Sequence, residues 1–218
     1  MSNHTAAPRK RVRFAPLVLA TSVAAAALLS VSMSGTLSGF VASITNTNNT
    51  AASGSLVMEE KSTGTTPVTC LSTDGGSIST NTATCSTINK FGGSTTMIPG
   101  QTVSTSITIK NAGTVSANTF TLTPGATCAQ SANAAAGSSG TATDFCSKLN
   151  VVITSGSTTV YSGTAAALAG SAVKSLATAP VTAGTSTPFT IAVTLDSSAG
   201  NTYQGLSASL PLTWTFAS

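Results

Sequence analysis

The stretch TVSTSITIKN at residues 102–111 decides the fold. Successive side chains of a β-strand point to opposite faces, so every second residue of this stretch shares a face. One face carries the larger side chains, Val103, Thr105, Ile107 and Ile109. The other face carries only serine and threonine up to residue 108, and this alternation predicts a strand buried on one side. The preceding IPGQ at residues 98–101 predicts a turn, because proline presets φ and glycine accepts a positive φ.

Similar alternation recurs along the rest of the chain. The further predicted strands are residues 118–123, 151–154, 159–162, 189–195 and 206–216. Another β pattern, at residues 52–58, ends at Glu59 and Glu60. Several short alternating strands separated by turn residues indicate an antiparallel sandwich. We therefore predict an all-β fold, an antiparallel jelly-roll-like sandwich with one or two short helices.

The segments between these strands carry turn, helix and edge signals. NAGT at residues 111–114 breaks the alternation between the first strand and the next, which predicts a β-hairpin. Residues 144–149 predict one helical turn with Asp144 as its N-cap, and residues 165–176 predict a second, interrupted helix. Pro211 lies inside the last alternating segment. Because proline has no N–H to donate, we expect it at a sheet edge or a bulge, and an edge strand is a place where another chain can pair.

A basic cluster precedes an apolar run near the start of the chain. The cluster consists of Arg9, Lys10, Arg11 and Arg13, and the run covers residues 15–31. This layout is typical of a secretory signal peptide, and small residues favour cleavage between Ser38 and Gly39, with a weaker site at Ser43. We predict a signal peptide at residues 1–38 and a single jelly-roll-like domain at residues 39–218. The expected location is secreted, either extracellular or at the cell surface.

The predicted mature chain carries no net charge. The formal charge of the whole chain is +4, and without the four leader cations five lysines face five acidic residues. Nucleic-acid binding requires a basic surface, so we expect no nucleic-acid partner. We expect membrane contact only transiently, through the signal peptide. The same cleavage removes His4, the single histidine of the chain.

Four cysteines follow the leader, namely Cys70, Cys85, Cys128 and Cys146. An even number of cysteines in an exported chain indicates disulfides, and four cysteines allow three pairings. Local pairing closes two loops of roughly 15 to 19 residues, each worth about 3 kcal/mol in the chain-entropy model. We expect such bridges to staple two loop excursions, residues 62–93 and 124–147. A zinc site is the alternative, but no cysteine pair has the short ligand spacing and no histidine completes a site.

Residues suited to catalysis are scarce in the predicted mature chain. A serine or cysteine nucleophile needs a base, and no histidine remains. The Ser-Lys pairs at 147–148 and 174–175 are adjacent in sequence, and adjacent side chains do not face each other. Glu59 and Glu60 are predicted as a solvated rim, and Trp214 as a core residue rather than a sugar-binding platform. We predict no catalytic, cofactor-binding or metal-binding residues, and therefore no enzyme.

Several motifs follow one another in a recognisable order. They are SGTLSGF at 34–40 with NNTAASGSL at 48–56, IPGQTV to IKNAGT at 98–114, DFC at 144–146, and NTYQGLSA at 201–208. Together they resemble the TasA/camelysin family of exported bacterial surface and biofilm-matrix proteins. The resemblance implies a jelly-roll subunit that forms fibres by lending its mature N-terminal segment to a neighbour's sheet, a mode known as strand addition. The camelysin name also implies a casein-cleaving metalloprotease, and the residues of this chain argue against that activity.

The expected function is a secreted structural subunit of an extracellular fibre or surface coat of the biofilm-matrix type. The predicted assembly strand consists of Phe40, Val41, Ala42, Ser43 and Ile44. Its apolar residues at 40, 42 and 44 share one face. The expected partners are copies of the same chain, with an assembly or anchoring protein as a further partner, and no cofactor is expected. The alternative is a monomeric cell-surface binding module for carbohydrate or a protein partner.

Overall fold

Alternating segments of the sequence form the strands of the computed structural model. The structure describes residues 43–44, 46, 48–76 and 78–218. The predicted signal peptide, its cleavage pair and the start of the assembly strand lie outside the described residues, namely Ser38, Gly39, Phe40, Val41 and Ala42. Residues 52–218 form one compact unit. The domain start at Gly39 stays a prediction.

The described residues contain eleven strands and a few short helical turns. The strands are β1 (Met58–Ser62), β2 (Thr69–Leu71), β3 (Thr102–Asn111), β4 (Thr119–Pro124), β5 (Ala129–Ala132), β6 (Leu149–Ser155), β7 (Thr158–Thr164), β8 (Lys174–Ser175), β9 (Ser186–Leu195), β10 (Leu206–Ser209) and β11 (Leu212–Ala217). The helical elements are the α-helix α1 (Ala165–Leu168) and the 3₁₀ turns Ala134–Ala136, Phe145–Lys148 and Asn201–Tyr203.

These strands form an antiparallel sandwich. One layer is a six-stranded sheet in the order β2-β1-β3-β9-β6-β7. Facing it are a three-stranded sheet, β11-β4-β8, and a two-stranded ribbon, β10-β5. All the strand pairs are antiparallel, and the predicted all-β class is confirmed.

The core lies between the two layers. In the six-stranded sheet Ile107 of β3 stands opposite Phe189 of β9. Phe189 meets Phe120 of β4 edge-on, with 5.8 Å between ring centroids, and Trp214 of β11 at 4.6 Å. Burying a side chain of this size contributes about 1.5–3 kcal/mol. The aromatic cluster therefore joins the two layers.

The predicted hairpin between β3 and β4 is wrong. β3 pairs with β1 and β9, whereas β4 pairs with β11 and β8 in the other layer, so residues 112–118 cross between the sheets. The crossing depends on Asn111, which is completely buried. Its Nδ2 donates to the carbonyls of Val115 and Val181, both at 2.9 Å, and its Oδ1 accepts from the Gly113 amide at 3.1 Å. One side chain thus satisfies three main-chain groups at the corner.

The long alternating segment at 206–216 folds as two strands. The chain breaks at Leu210 and Pro211, and β10 pairs with β5 whereas β11 pairs with β4. Proline has no N–H for a ladder, so a pairing switch at this residue costs no hydrogen bond. The Pro211 carbonyl accepts from the Gly125 amide at 2.8 Å. Pro211 was expected at a sheet edge, and it lies immediately before β11, the outer strand of its sheet.

Three further predictions differ from the structure in extent or in detail. The strand predicted at 52–58 begins only at Met58, because residues 55 and 57 bond to the turn at 112–115. The helix predicted at 165–176 ends at Leu168, followed by Gly170 at a φ of 65°. Residues 145–148 form the predicted helical turn, but the side chain of Asp144 caps no amide. Its carboxylate instead accepts from the Tyr203 hydroxyl at 2.9 Å.

Candidate functional site

Both disulfides join cysteines that are close in sequence. Cys70 bonds to Cys85 and Cys128 bonds to Cys146, with Cα atoms 5.8 Å and 6.2 Å apart. The predicted excursions are more regular than loops, because the first contains β2 and the second contains β5. Each bridge therefore fixes a short strand at the end of a sheet or ribbon. Two such bridges are typical of a protein that folds in an oxidising, extracellular setting.

The sheet edges differ in how they are protected. β2 and β8, at three and two residues, are too short to offer a long pairing surface. β7 is longer, but its register with β6 shifts at Ile153/Thr154. β11 has six residues, LTWTFA, with no charge, and pairs with no described strand except β4. Short edges, irregularities and charges are the usual devices against strand addition, and β11 has none of them.

An open cavity of about 540 Å³ runs beside the free edge of β11, and we name it the β11 groove. One wall is residues 208–216. The opposite wall comes from β1, β2 and the stapled loop at 81–91. The apolar lining includes Leu56, Met58, Ile88, Phe91, Trp214 and Phe216. The groove therefore combines unpaired main chain with an apolar surface, which is what an additional strand requires.

The disulfide Cys70–Cys85 and a salt bridge fix the far wall of the β11 groove. Lys90 Nζ lies 2.8 Å from Glu60 Oε1, and both side chains are largely buried. The prediction of a solvated rim is therefore wrong for Glu60, because this residue stands opposite Ile109 in the sheet and points inward. A buried carboxylate needs a counter-charge. Lys90, an isolated lysine in a nearly uncharged stretch, was the feature of the sequence that could have indicated this salt bridge.

Trp214 belongs to the core and to the near wall of the groove. Its side chain is 9% exposed, which confirms the predicted core position. Its Nε1–H is buried without an acceptor in the part of the chain that the structure describes. Buried donors are normally satisfied, so this wall lacks one hydrogen-bond acceptor among the described residues.

The described part of the predicted assembly strand is open to solvent. Ser43 and Ile44 belong to no strand, and the Ile44 side chain is 94% exposed. Further along the segment, Asn49 Nδ2 donates to the Asn46 carbonyl at 3.1 Å. An isoleucine in this state gains apolar burial whenever it meets a complementary surface.

The lysines of the two Ser-Lys sequence pairs contact residues other than their neighbouring serines. Lys148 Nζ donates to Ser198 Oγ at 2.9 Å. Lys174 Nζ lies 5.8 Å from the ring centroid of Tyr161. Within the described ranges, no three potential metal ligands of the His, Cys, Asp and Glu types come together. Over the same part of the chain, no helix is long and apolar enough to cross a membrane.

Comparison with known proteins gives no assignment. No protein-family model and no curated protein matches this sequence.

Proposed function

We propose that this protein is a secreted structural subunit of an extracellular fibre or surface coat, of the TasA/camelysin biofilm-matrix type. Copies assemble when the mature N-terminal strand of one subunit enters the β11 groove of the next. The observation that carries the proposal is the free, regular and uncharged edge of β11 beside an apolar groove. The partners are copies of the same chain, with an assembly or anchoring protein at the fibre base.

The N-terminal segment matches the groove in length and pattern. Residues 39–45 span about 20 Å when extended, close to the length of the six-residue β11. Phe40, Ala42 and Ile44 share one face and would point into the groove, where each large side chain gains about 1.5–3 kcal/mol on burial. The main chain would pair with β11 and bring carbonyl oxygens to the wall that carries the unpaired Trp214 donor.

Export of the chain is supported by two independent features. The basic and apolar leader is typical of a secretory signal, and both disulfides require an oxidising compartment to persist. The absence of histidine after the leader leaves no residue for general-base catalysis of the Ser-His type. A structural role needs neither a base nor a cofactor.

Matched substitutions in the assembly strand test this proposal. The full chain is expressed in a secreting bacterium, and the exported protein is examined by N-terminal mass spectrometry and electron microscopy. We expect a start at Gly39 and fibres from the unmodified chain. Ile44→Asp puts a charge on the inward face and should abolish fibres, whereas Ser43→Asp puts the same charge on the outward face and should preserve them.

Ile44 and Ser43 are both exposed in the single subunit, so neither substitution should alter folding, and a difference between the two variants reports on assembly. Near-ultraviolet circular dichroism checks that point. Strictly monomeric, particle-free unmodified protein at high concentration would overturn the proposal. Equal polymerisation of the two variants would overturn the assigned strand.

A further inference from the structure

A second cavity of about 530 Å³ lies on the other side of residues 89–91. Its lining differs from that of the β11 groove, which includes Glu60 and Lys90. Its volume falls within the range of small-molecule sites. The floor consists of buried apolar residues, namely Phe145, Leu149, Val193, Leu195 and Ala199. Among the described residues that line it, no side chain is charged. We name it the amide cavity, because four side-chain amides lie around its mouth, those of Asn89, Asn133, Asn201 and Gln204.

Each of the four amides makes a side-chain hydrogen bond, Asn89 by accepting from the Phe91 amide at 3.0 Å, and the Asn201–Gln204 pair leaves two of its groups unused. Asn133 Nδ2 donates to the Thr95 carbonyl at 2.9 Å, and its Oδ1 accepts from the Ala135 amide at 3.1 Å. Gln204 Nε2 donates to Asn201 Oδ1 at 3.3 Å. Gln204 Oε1 and Asn201 Nδ2 make no further hydrogen bond within the described residues. The Asn201–Gln204 pair therefore presents one free acceptor and one free donor, carried by two amides in contact.

An aromatic wall stands beside this amide pair. The Tyr203 hydroxyl donates to Asp144 Oδ1 at 2.9 Å, and Lys148 Nζ lies 5.7 Å over the ring. The hydrogen bond to Asp144, followed by burial, raises the pKa of the Tyr203 hydroxyl above its ordinary value, so the group stays a neutral donor. These contacts fix the ring. Phe91, half-buried, lines the same cavity.

We infer that the amide cavity is a binding site for a neutral saccharide. Each hydroxyl of a sugar both donates and accepts, so two neighbouring hydroxyls match the free acceptor of Gln204 and the free donor of Asn201. The C–H faces of a sugar ring suit the aromatic wall and the apolar floor. A charged ligand would lose its hydration with no counter-charge in the lining, and a purely apolar ligand would cover the amides without replacing their water. The inference does not depend on fibre formation.

Calorimetric titration of the full chain tests this site. The probes are cellotriose, chitotriose, mannotriose and permethylated cellotriose. We expect at least one of the free trisaccharides to bind, and permethylated cellotriose not to bind, because methylation removes the donors and keeps the apolar ring. Gln204→Met keeps the side-chain length and removes the acceptor, and should weaken binding about tenfold.

Two more variants make the result decisive. Asn201→Ala removes the donor of the amide pair and should weaken binding to a similar extent. Asn118→Ala removes an exposed amide outside the cavity and should leave affinity unchanged. The inference is overturned if no free trisaccharide binds, if permethylated cellotriose binds equally well, or if both cavity variants, with unchanged melting curves, bind like the unmodified chain.

Discussion

β9 and β11 have the same kind of alternating sequence but different neighbours. β9 pairs with β3 on one edge and with β6 on the other, whereas β11 pairs only with β4 among the described strands. Both contribute to one core, since Phe189 of β9 and Trp214 of β11 lie 4.6 Å apart between ring centroids. Alternation therefore specifies which side chains are buried. It does not specify which edges of the main chain find a partner.

The difference separates stability from association. Along residues 190–195 the main chain of β9 is paired on both edges within the subunit, so these residues act mainly on folding. The free edge of β11 must bond to water or to another strand, so its residues also act on whatever approaches the β11 groove. Substitutions in the two strands should consequently have separable effects.

The largest effect is expected from a matched pair of phenylalanine truncations. Phe189→Ala should lower the free energy of unfolding by about 3–5 kcal/mol, because the side chain is buried and packs against Phe120 and Trp214. Phe216→Ala, in β11, should lower the free energy of unfolding clearly less, because this side chain is only half-buried. Its ring centroid lies 4.7 Å from that of Phe120. Urea unfolding measures both values. Equal losses would show that β11 is as deeply integrated as β9.

A smaller effect is expected at the crossing between the two layers. Asn111 ends β3 and turns the chain from the sheet of β9 to the sheet of β11. Asn111→Ala leaves the buried carbonyl of Val181 and its neighbours without their side-chain partner, which should cost about 1–3 kcal/mol. Asn118→Ala is the control, an exposed asparagine that should be nearly neutral in the same unfolding assay. Similar losses of unfolding free energy for both variants would show that the Asn111 side chain does not stabilise the crossing.

The sequence predicted the burial pattern well and the pairing poorly. Residues 102–111 and 189–195 could be identified because alternation is a local property, read without knowing the partner strand. The partners of β4 could not, because β8 and β11 lie far from it in the sequence. Local chemistry therefore identified the strands, and distant contacts decided their order.

The candidate site was still less accessible from the sequence. Trp214 was correctly predicted in the core, but the β11 groove exists only because β10 and β11 pair with different strands on either side of Pro211. The Glu60–Lys90 salt bridge joins two charges that are 30 residues apart in the printed sequence. A groove formed by the absence of a neighbour leaves no pattern in the segment that lines it.

The smallest effect on stability is expected from removing the predicted assembly strand. Deleting residues 39–45 should change the free energy of unfolding by less than about 0.5 kcal/mol, because Ser43 and Ile44 are exposed and belong to no strand. The same deletion should abolish polymerisation, since the β11 groove of each subunit would receive no strand from its neighbour. Thermal melting and electron microscopy of the secreted variant give the two readings on one sample. A clear drop in melting temperature would mean that the segment pairs within its own subunit, in which case β11 would resemble β9 and the contrast between the two strands would disappear.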